Sequence, residues 1–115
     1  MTAYRRGEIV LVNFNPQKRA EEIGKVRPAL IVSDSELNEV LDLVTVVALT
    51  TNLIDGAEPL RLRIRPREKL EKESDAMVEQ IRSVSKSRIG ERLASLTEEE
   101  MKEVEEGLRL VLALG

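Results

Sequence analysis

A chain of 115 residues, 42% hydrophobic and 34% charged, can bury one core beneath a densely solvated surface. It contains no cysteine and no histidine, which excludes disulfides, thiolate nucleophiles, imidazole acid–base chemistry and most zinc sites. The net charge of −3 argues against a general nucleic-acid coat protein, so any nucleic-acid contact must rest on locally concentrated positive charge.

The segment from Met1 to Gly7 is polar and basic, and no apolar stretch of signal-peptide or membrane-span length follows it. The cytoplasm is therefore the expected compartment. Glu8 to Phe14 (EIVLVNF) is apolar and rich in β-branched residues, the composition of a well-buried strand. Asn15 to Val26 is polar and contains Gly24 near its end, as a long exposed loop would. Arg27 to Ser33 (RPALIVS) reads as a second buried strand, and Ser33-Asp34-Ser35 offers helix N-caps before a short helical or irregular stretch to Leu41. Leu43 to Leu49 (LVTVVAL) is a third strand, followed by a turn-like stretch from Asn52 to Pro59 around Asp55-Gly56. Leu60 to Arg65 alternates apolar with basic residues and is expected to be half exposed, while Ala76 to Val84 is a fifth strand with a less regular pattern.

The last element is the plainest. Thr97 and Glu100 form a capping box, flanked by Leu96 and Met101 as a hydrophobic staple. Met101, Val104, Leu108 and Val111 then recur at helical spacing and predict one buried stripe. Gly107 weakens this helix by about 1 kcal/mol relative to alanine, a cost that close packing would explain. Six acidic residues fall between Thr97 and Arg109, so this helix accounts for the net sign and the remainder of the chain is close to neutral. No repeat or low-complexity linker intervenes. Residues 1–115 are expected to form a single domain of α+β class, mainly β: a strongly bent sheet or small barrel with a C-terminal helix packed on it.

Three segments, in order, carry a resemblance. Arg6-Gly7-Glu8 opens the first strand and leads through Asn15-Pro16 to Gly24-Lys25-Val26-Arg27-Pro28-Ala29-Leu30-Ile31-Val32-Ser33. Val46-Val47-Ala48-Leu49-Thr50-Thr51 ends the third strand, and Glu79-Gln80-Ile81-Arg82-Ser83 precedes Lys86 and Arg88-Ile89-Gly90. Over residues 5–114 this set resembles the MazF/PemK/Kid family of toxin endoribonucleases. The resemblance implies an SH3-like antiparallel barrel with a C-terminal helix, a homodimer whose groove binds single-stranded RNA, and an antitoxin protein as partner. It also implies metal-independent cleavage by 2′-OH attack, leaving 2′,3′-cyclic phosphate and 5′-OH ends. The family's catalytic arginine and threonine fall on Arg27 and Thr50, and its substrate contacts fall around Lys25, Thr51, Gln80, Arg82 and Ser83. No metal or other cofactor is expected. Two positions depart from the family pattern: the segment from Gln17 to Val26 lacks a mid-loop glycine, and Ser85 stands where an acidic residue is frequent.

The residues suit that chemistry. A planar guanidinium can hold two oxygens of a phosphorane at once, and Pro28 biases Arg27 toward an extended backbone at the entrance to its strand. The plain alternative is a surface arginine paired with a carboxylate. With a pKa above about 12, a guanidinium is a poor general base. Glu21 or Glu22 could supply one, and the base is left open. Thr50 could donate to a phosphoryl oxygen or the 2′-OH, or simply satisfy the turn at Thr50-Thr51-Asn52. Thr51 could share the role, since a one-residue register shift swaps faces. Gln80, Arg82 and Ser83 suit base edges and phosphate, or a hydrogen-bonded strand edge. Arg61, Arg63 and Arg65 share one strand face as either a binding ridge or a charged sheet edge, the edge being favoured. Tyr4 and Phe14 are the only aromatics, so stacking cannot dominate recognition. A CcdB-like gyrase-binding toxin on the same barrel, or a relative that only binds its antitoxin, is the alternative reading.

Overall fold

Adjacent residues of the central strands are buried on opposite faces of one sheet, which is why their sequences are continuously apolar rather than alternating. The computed structural model describes residues 3–15 and 26–115. Six strands, β1 (Glu8–Asn13), β2 (Val26–Ile31), β3 (Leu43–Thr50), β4 (Arg61–Ile64), β5 (Ser74–Ser85) and β6 (Ile89–Ser95), are joined by helix α1 (Ser35–Val40) between β2 and β3 and followed by helix α2 (Glu98–Leu112). The strands form one antiparallel sheet in the order β4-β5-β3-β2-β1-β6. On one face Ile9, Leu30, Val47, Leu49, Ile64 and Ala76 pack with Met101 and Val104 of α2. On the other, Val10, Val12, Ala29, Ile31, Val44 and Val46 form a second core, with Tyr4, Phe14 and Ile89 packed against it. This is the mainly β, α+β architecture expected, and no helix among the described residues is long and apolar enough to cross a membrane.

β5 is the longest of these strands and its pairing with β3 is broken by a register shift. Its far half pairs with the start of β3 (Val47↔Ile81) and its near half with the end (Leu49↔Ala76), so residues 77–80 fall in a register shift that lets one long strand serve two directions. The near half also carries β4, the edge strand, whose register runs from Arg61↔Met77 to Ile64↔Ser74.

The α2 capping box is present as read: Glu100 N–H donates to Thr97 Oγ1 at 3.1 Å, and Thr97 N–H donates to Glu100 Oε1 at 2.9 Å. Met101, Val104 and Gly107 are buried while Leu108 and Val111 are half-buried. Gly107 has a definite reason. A Cβ there would overlap the Pro59 carbonyl oxygen and approach Val78 Cγ1 to 3.2 Å. Asp34 is the α1 N-cap, accepting from the N–H groups of Glu36 and Leu37. Buried Asn38 ties that helix inward by donating to the carbonyls of Tyr4 and Ser33.

β6 is not marked by the sequence. Its residues Gly90, Glu91 and Arg92 are all exposed, so it lacks the alternation that marks a strand. Pairing with β1, from Glu8↔Ser95 to Val12↔Ile89, makes it one.

Candidate active site

The site is built where β2 and β3 part. Pro28 has no N–H to donate, and the β2–β3 ladder starts beyond it, at Ala29↔Ala48. Extending that register by two residues on each strand sets Arg27 across from Thr50 on the same face. Both side chains line one cleft of about 450 Å³, together with Pro28, Leu49, Thr51, Asn52 and Ser74. Arg27 also lines a second cleft of about 480 Å³ with Phe14, Ala48, Met77, Gln80, Ile81 and Arg82. Arg27 is thus the wall common to both. Its side chain is exposed, and among the described residues no carboxylate pairs with it, in contrast to Arg6, Arg61, Arg63, Arg67 and Arg92.

Thr50 satisfies the turn and faces the cleft at once. Its Oγ1 accepts from the Asn52 N–H at 3.1 Å, which uses an acceptor lone pair and fixes the rotamer while leaving the hydroxyl proton to be donated. Thr51 lines the same cleft and is exposed. In the second cleft the Arg82 guanidinium lies 5.1 Å from the Phe14 ring centroid, a cation–π separation, with Gln80 exposed beside it.

Ser83 is not brought to this site. Arg82 pairs with Val46 and Ser83 with Thr45, so the two serve opposite faces. The Ser83 hydroxyl instead meets Thr45 Oγ1 at 3.3 Å. Lys25, Glu21 and Glu22 lie outside the described residues. Ser85 accepts from the Ser87 N–H and opens a 3-10 turn over Lys86–Arg88, which gives it a local reason to be serine.

The arginines of β4 do not form a free ridge. Arg63 Nε donates to Asp75 Oδ1 at 2.6 Å and its Nη2 to Asp55 at 2.9 Å. Arg61 Nη1 reaches Asp75 Oδ2 at 3.4 Å and the Asn52 carbonyl at 3.1 Å. β4 is a charged edge strand, as favoured from the sequence.

Asp75 itself is 1% exposed and pairs across the sheet with Thr50. Burial acts to raise its pKa, but hydrogen bonds from Arg63, the Ile54 N–H and Arg61 outweigh it and hold the carboxyl below the usual carboxylate range. A carboxylate so committed is a poor proton acceptor.

Neither Phe14 nor Asp75 was singled out from the sequence. Asp75 had a visible signal, an acid set directly against the apolar run Ala76-Met77-Val78. Phe14 had none beyond its rarity.

Comparison with known proteins bears on this geometry. Residues 5–112 match the family model described as PemK-like, MazF-like toxin of type II toxin-antitoxin system. An Endoribonuclease MazF of Staphylococcus epidermidis is 34% identical over 112 residues, covering 96% of this chain and 92% of that protein. A crystal structure of MazF from Deinococcus radiodurans superposes with a TM-score of 0.78 at 26% identity, covering 98% of this chain and 99% of that one. An endoribonuclease in complex with its cognate antitoxin from Mycobacterial species gives a TM-score of 0.79 at 23% identity, with 98% of each chain covered.

Proposed function

The chain belongs to the PemK-like, MazF-like toxins of type II toxin–antitoxin systems, and from that premise we propose that it is an endoribonuclease cutting single-stranded RNA at the Arg27–Thr50 cleft. The observation that carries this reading is the exposed guanidinium of Arg27 forming a wall of two clefts, one ending at Thr50 and the other at Gln80 and Arg82. A strand of RNA crossing from one cleft to the other presents a phosphate to Arg27 with a nucleotide on either side.

The reaction is an intramolecular displacement. The 2′-OH attacks the adjacent phosphorus, the P–O5′ bond breaks, and the products carry a 2′,3′-cyclic phosphate and a 5′-OH. Charge accumulates on the non-bridging oxygens as the phosphorane forms. Arg27 offers them two parallel N–H donors, and Thr50 offers its hydroxyl proton. The proton of the 2′-OH passes to a base, for which Glu21 or Glu22 is the candidate, and the departing 5′-oxygen takes up a proton. Asp75 is unsuited to that role because three donors already hold it. Thr51, Lys25, Gln80 and Arg82 complete the RNA contacts, with the Phe14 ring beneath Arg82 holding its guanidinium at the cleft. Ser83 is excluded from these contacts in this reading because it bonds Thr45 on the opposite face.

The same proposal assigns the chain one cytoplasmic toxin domain, an antitoxin protein as partner, a homodimeric assembly, and chemistry without metal. Leu110, Leu112 and Leu114, exposed around the end of α2, supply apolar surface of the kind that association buries.

The test uses purified protein, a long RNA and excess EDTA, with Arg27→Ala and Thr50→Ala alongside. Chelator-resistant cuts with cyclic-phosphate ends, slowed about 10²–10³-fold in both variants, are expected. Intact RNA of varied sequence in the presence of folded native protein would overturn the assignment and favour a target that is not RNA.

A further inference from the structure

The segment that follows Thr50 is held from below. Residues 52, 54 and 55 are each bonded to one cluster on β4 and β5. The Asn52 carbonyl accepts from Arg61 Nη1 at 3.1 Å, the Ile54 N–H donates to Asp75 Oδ2 at 2.9 Å, and Asp55 accepts from Arg63 Nη2 at 2.9 Å. Arg61 and Arg63 both converge on Asp75. The same residue whose carbonyl accepts from Arg61 donates its own N–H, one peptide unit earlier, to Thr50 Oγ1 at 3.1 Å. A continuous series of bonds therefore runs from the Asp75 carboxylate through Arg61 and Asn52 to the Thr50 hydroxyl.

Asp75 is the one fully buried ionisable side chain among the described residues. Burying a carboxylate is expensive, and an apolar residue of similar volume often serves stability equally well. Its partners explain what the charge does here. Each donor it holds is either in the turn after Thr50 or reaches into that turn, and none belongs to the α2-side core.

We infer that Asp75 is a positioning residue for this site, its buried carboxylate fixing through Arg61 the backbone of Asn52, whose N–H orients the Thr50 hydroxyl toward the cleft. The inference rests on the nuclease reading for its functional consequence. Asp75 does not touch substrate. It acts through Thr50.

Two variants test this in the full chain. Asp75→Asn keeps the shape and removes the charge; Arg61→Met keeps the aliphatic stem and removes the donor to Asn52, and carries the test alone if Asp75→Asn fails to fold by circular dichroism. In single-turnover and steady-state RNA cleavage, kcat falls about ten- to a hundredfold, the scale of a misaligned reacting group, with KM within about twofold of native. In a Thr50→Ala background neither substitution lowers kcat further, and Arg61→Lys regains part of the loss. Independently of activity, hydrogen–deuterium exchange shows the Asn52 and Ile54 amides losing protection in Asp75→Asn, or Asn52 alone in Arg61→Met. Unchanged protection overturns the inference whatever the RNA assay reads. Losses that multiply with that of Thr50→Ala also overturn it, and leave the nuclease reading standing because the native protein still cuts. If the native protein leaves RNA intact, or Thr50→Ala cuts as well as native, both fall together.

Discussion

Unlike Arg6, Arg61, Arg63, Arg67 and Arg92, Arg27 has no carboxylate partner among the described residues, and at an active site that freedom has a kinetic signature. A lysine would preserve the charge but offer a rotating point charge in place of two coplanar donors. Arg27→Lys is therefore expected to lose about 10²–10³ in kcat, close to the loss in Arg27→Ala, with the protein's thermal midpoint unchanged. Single-turnover cleavage reads this directly, and a lysine variant of near-native rate would show that charge alone suffices. In the second cleft, Phe14→Leu keeps apolar volume but removes the ring under Arg82. By loosening Arg82 it should weaken RNA binding by about 0.5–2 kcal/mol, measured by fluorescence anisotropy, while leaving the bond-breaking rate of bound RNA little altered. Arg27 and Thr50 are named through the family resemblance of the segments that hold them; their residue types alone leave a paired surface arginine and a turn threonine as the plain alternatives. The period of the strand separates Ser83 from Arg82. Residues 80 and 82 share a face and residue 83 cannot, as its pairing with Thr45 makes plain.

At the scale of elements, α2 was readable from capping and periodicity because both are local. Thr97→Ala removes the acceptor for the Glu100 N–H and should lower stability by about 1 kcal/mol in urea unfolding. Gly107→Ala is the sharper case. Helix propensity alone favours alanine by about 1 kcal/mol, yet the new methyl would meet the Pro59 carbonyl and crowd Val78. The net expectation is destabilisation by about 1–3 kcal/mol, as for other overpacked sites; a higher urea midpoint in the variant would mean that the Pro59 segment yields freely. β6 and the shift within β5 were not readable, and the reason is common to both. Gly90, Glu91 and Arg92 gain their strand geometry from β1 alone, and residues 77–80 are displaced by the need to pair with β3 and β4 together. Each is a property of the partner strand, absent from the segment's own sequence.

For the whole molecule, the buried and half-buried carboxylates govern the response to acid. The Arg67 guanidinium grips Glu100 through two bonds of 2.6 and 2.8 Å and holds its pKa below the ordinary value. Asp75 is lowered too, its burial outweighed by the Arg63, Ile54 and Arg61 donors. A depressed folded-state pKa contributes stability that is fully present above the unfolded value, about 4 for these groups, and is lost as pH falls through the folded one. Urea midpoints should therefore stay level from pH 7 to about 5 and drop below about 4. Glu100→Gln should flatten that drop while lowering the plateau. An identical acid profile in this variant would remove Glu100 from the account.

β1 lies between β2 and β6, and the ladder on its outer side brings Arg92 to Glu8 across 84 residues of sequence. A nascent chain emerging from the ribosome can therefore pair β1 with β2 early, but it cannot close the second flank until the codons for β6 have been translated. The strand that pairs Val12 with Arg27 thus gains its second neighbour only when the chain is nearly complete.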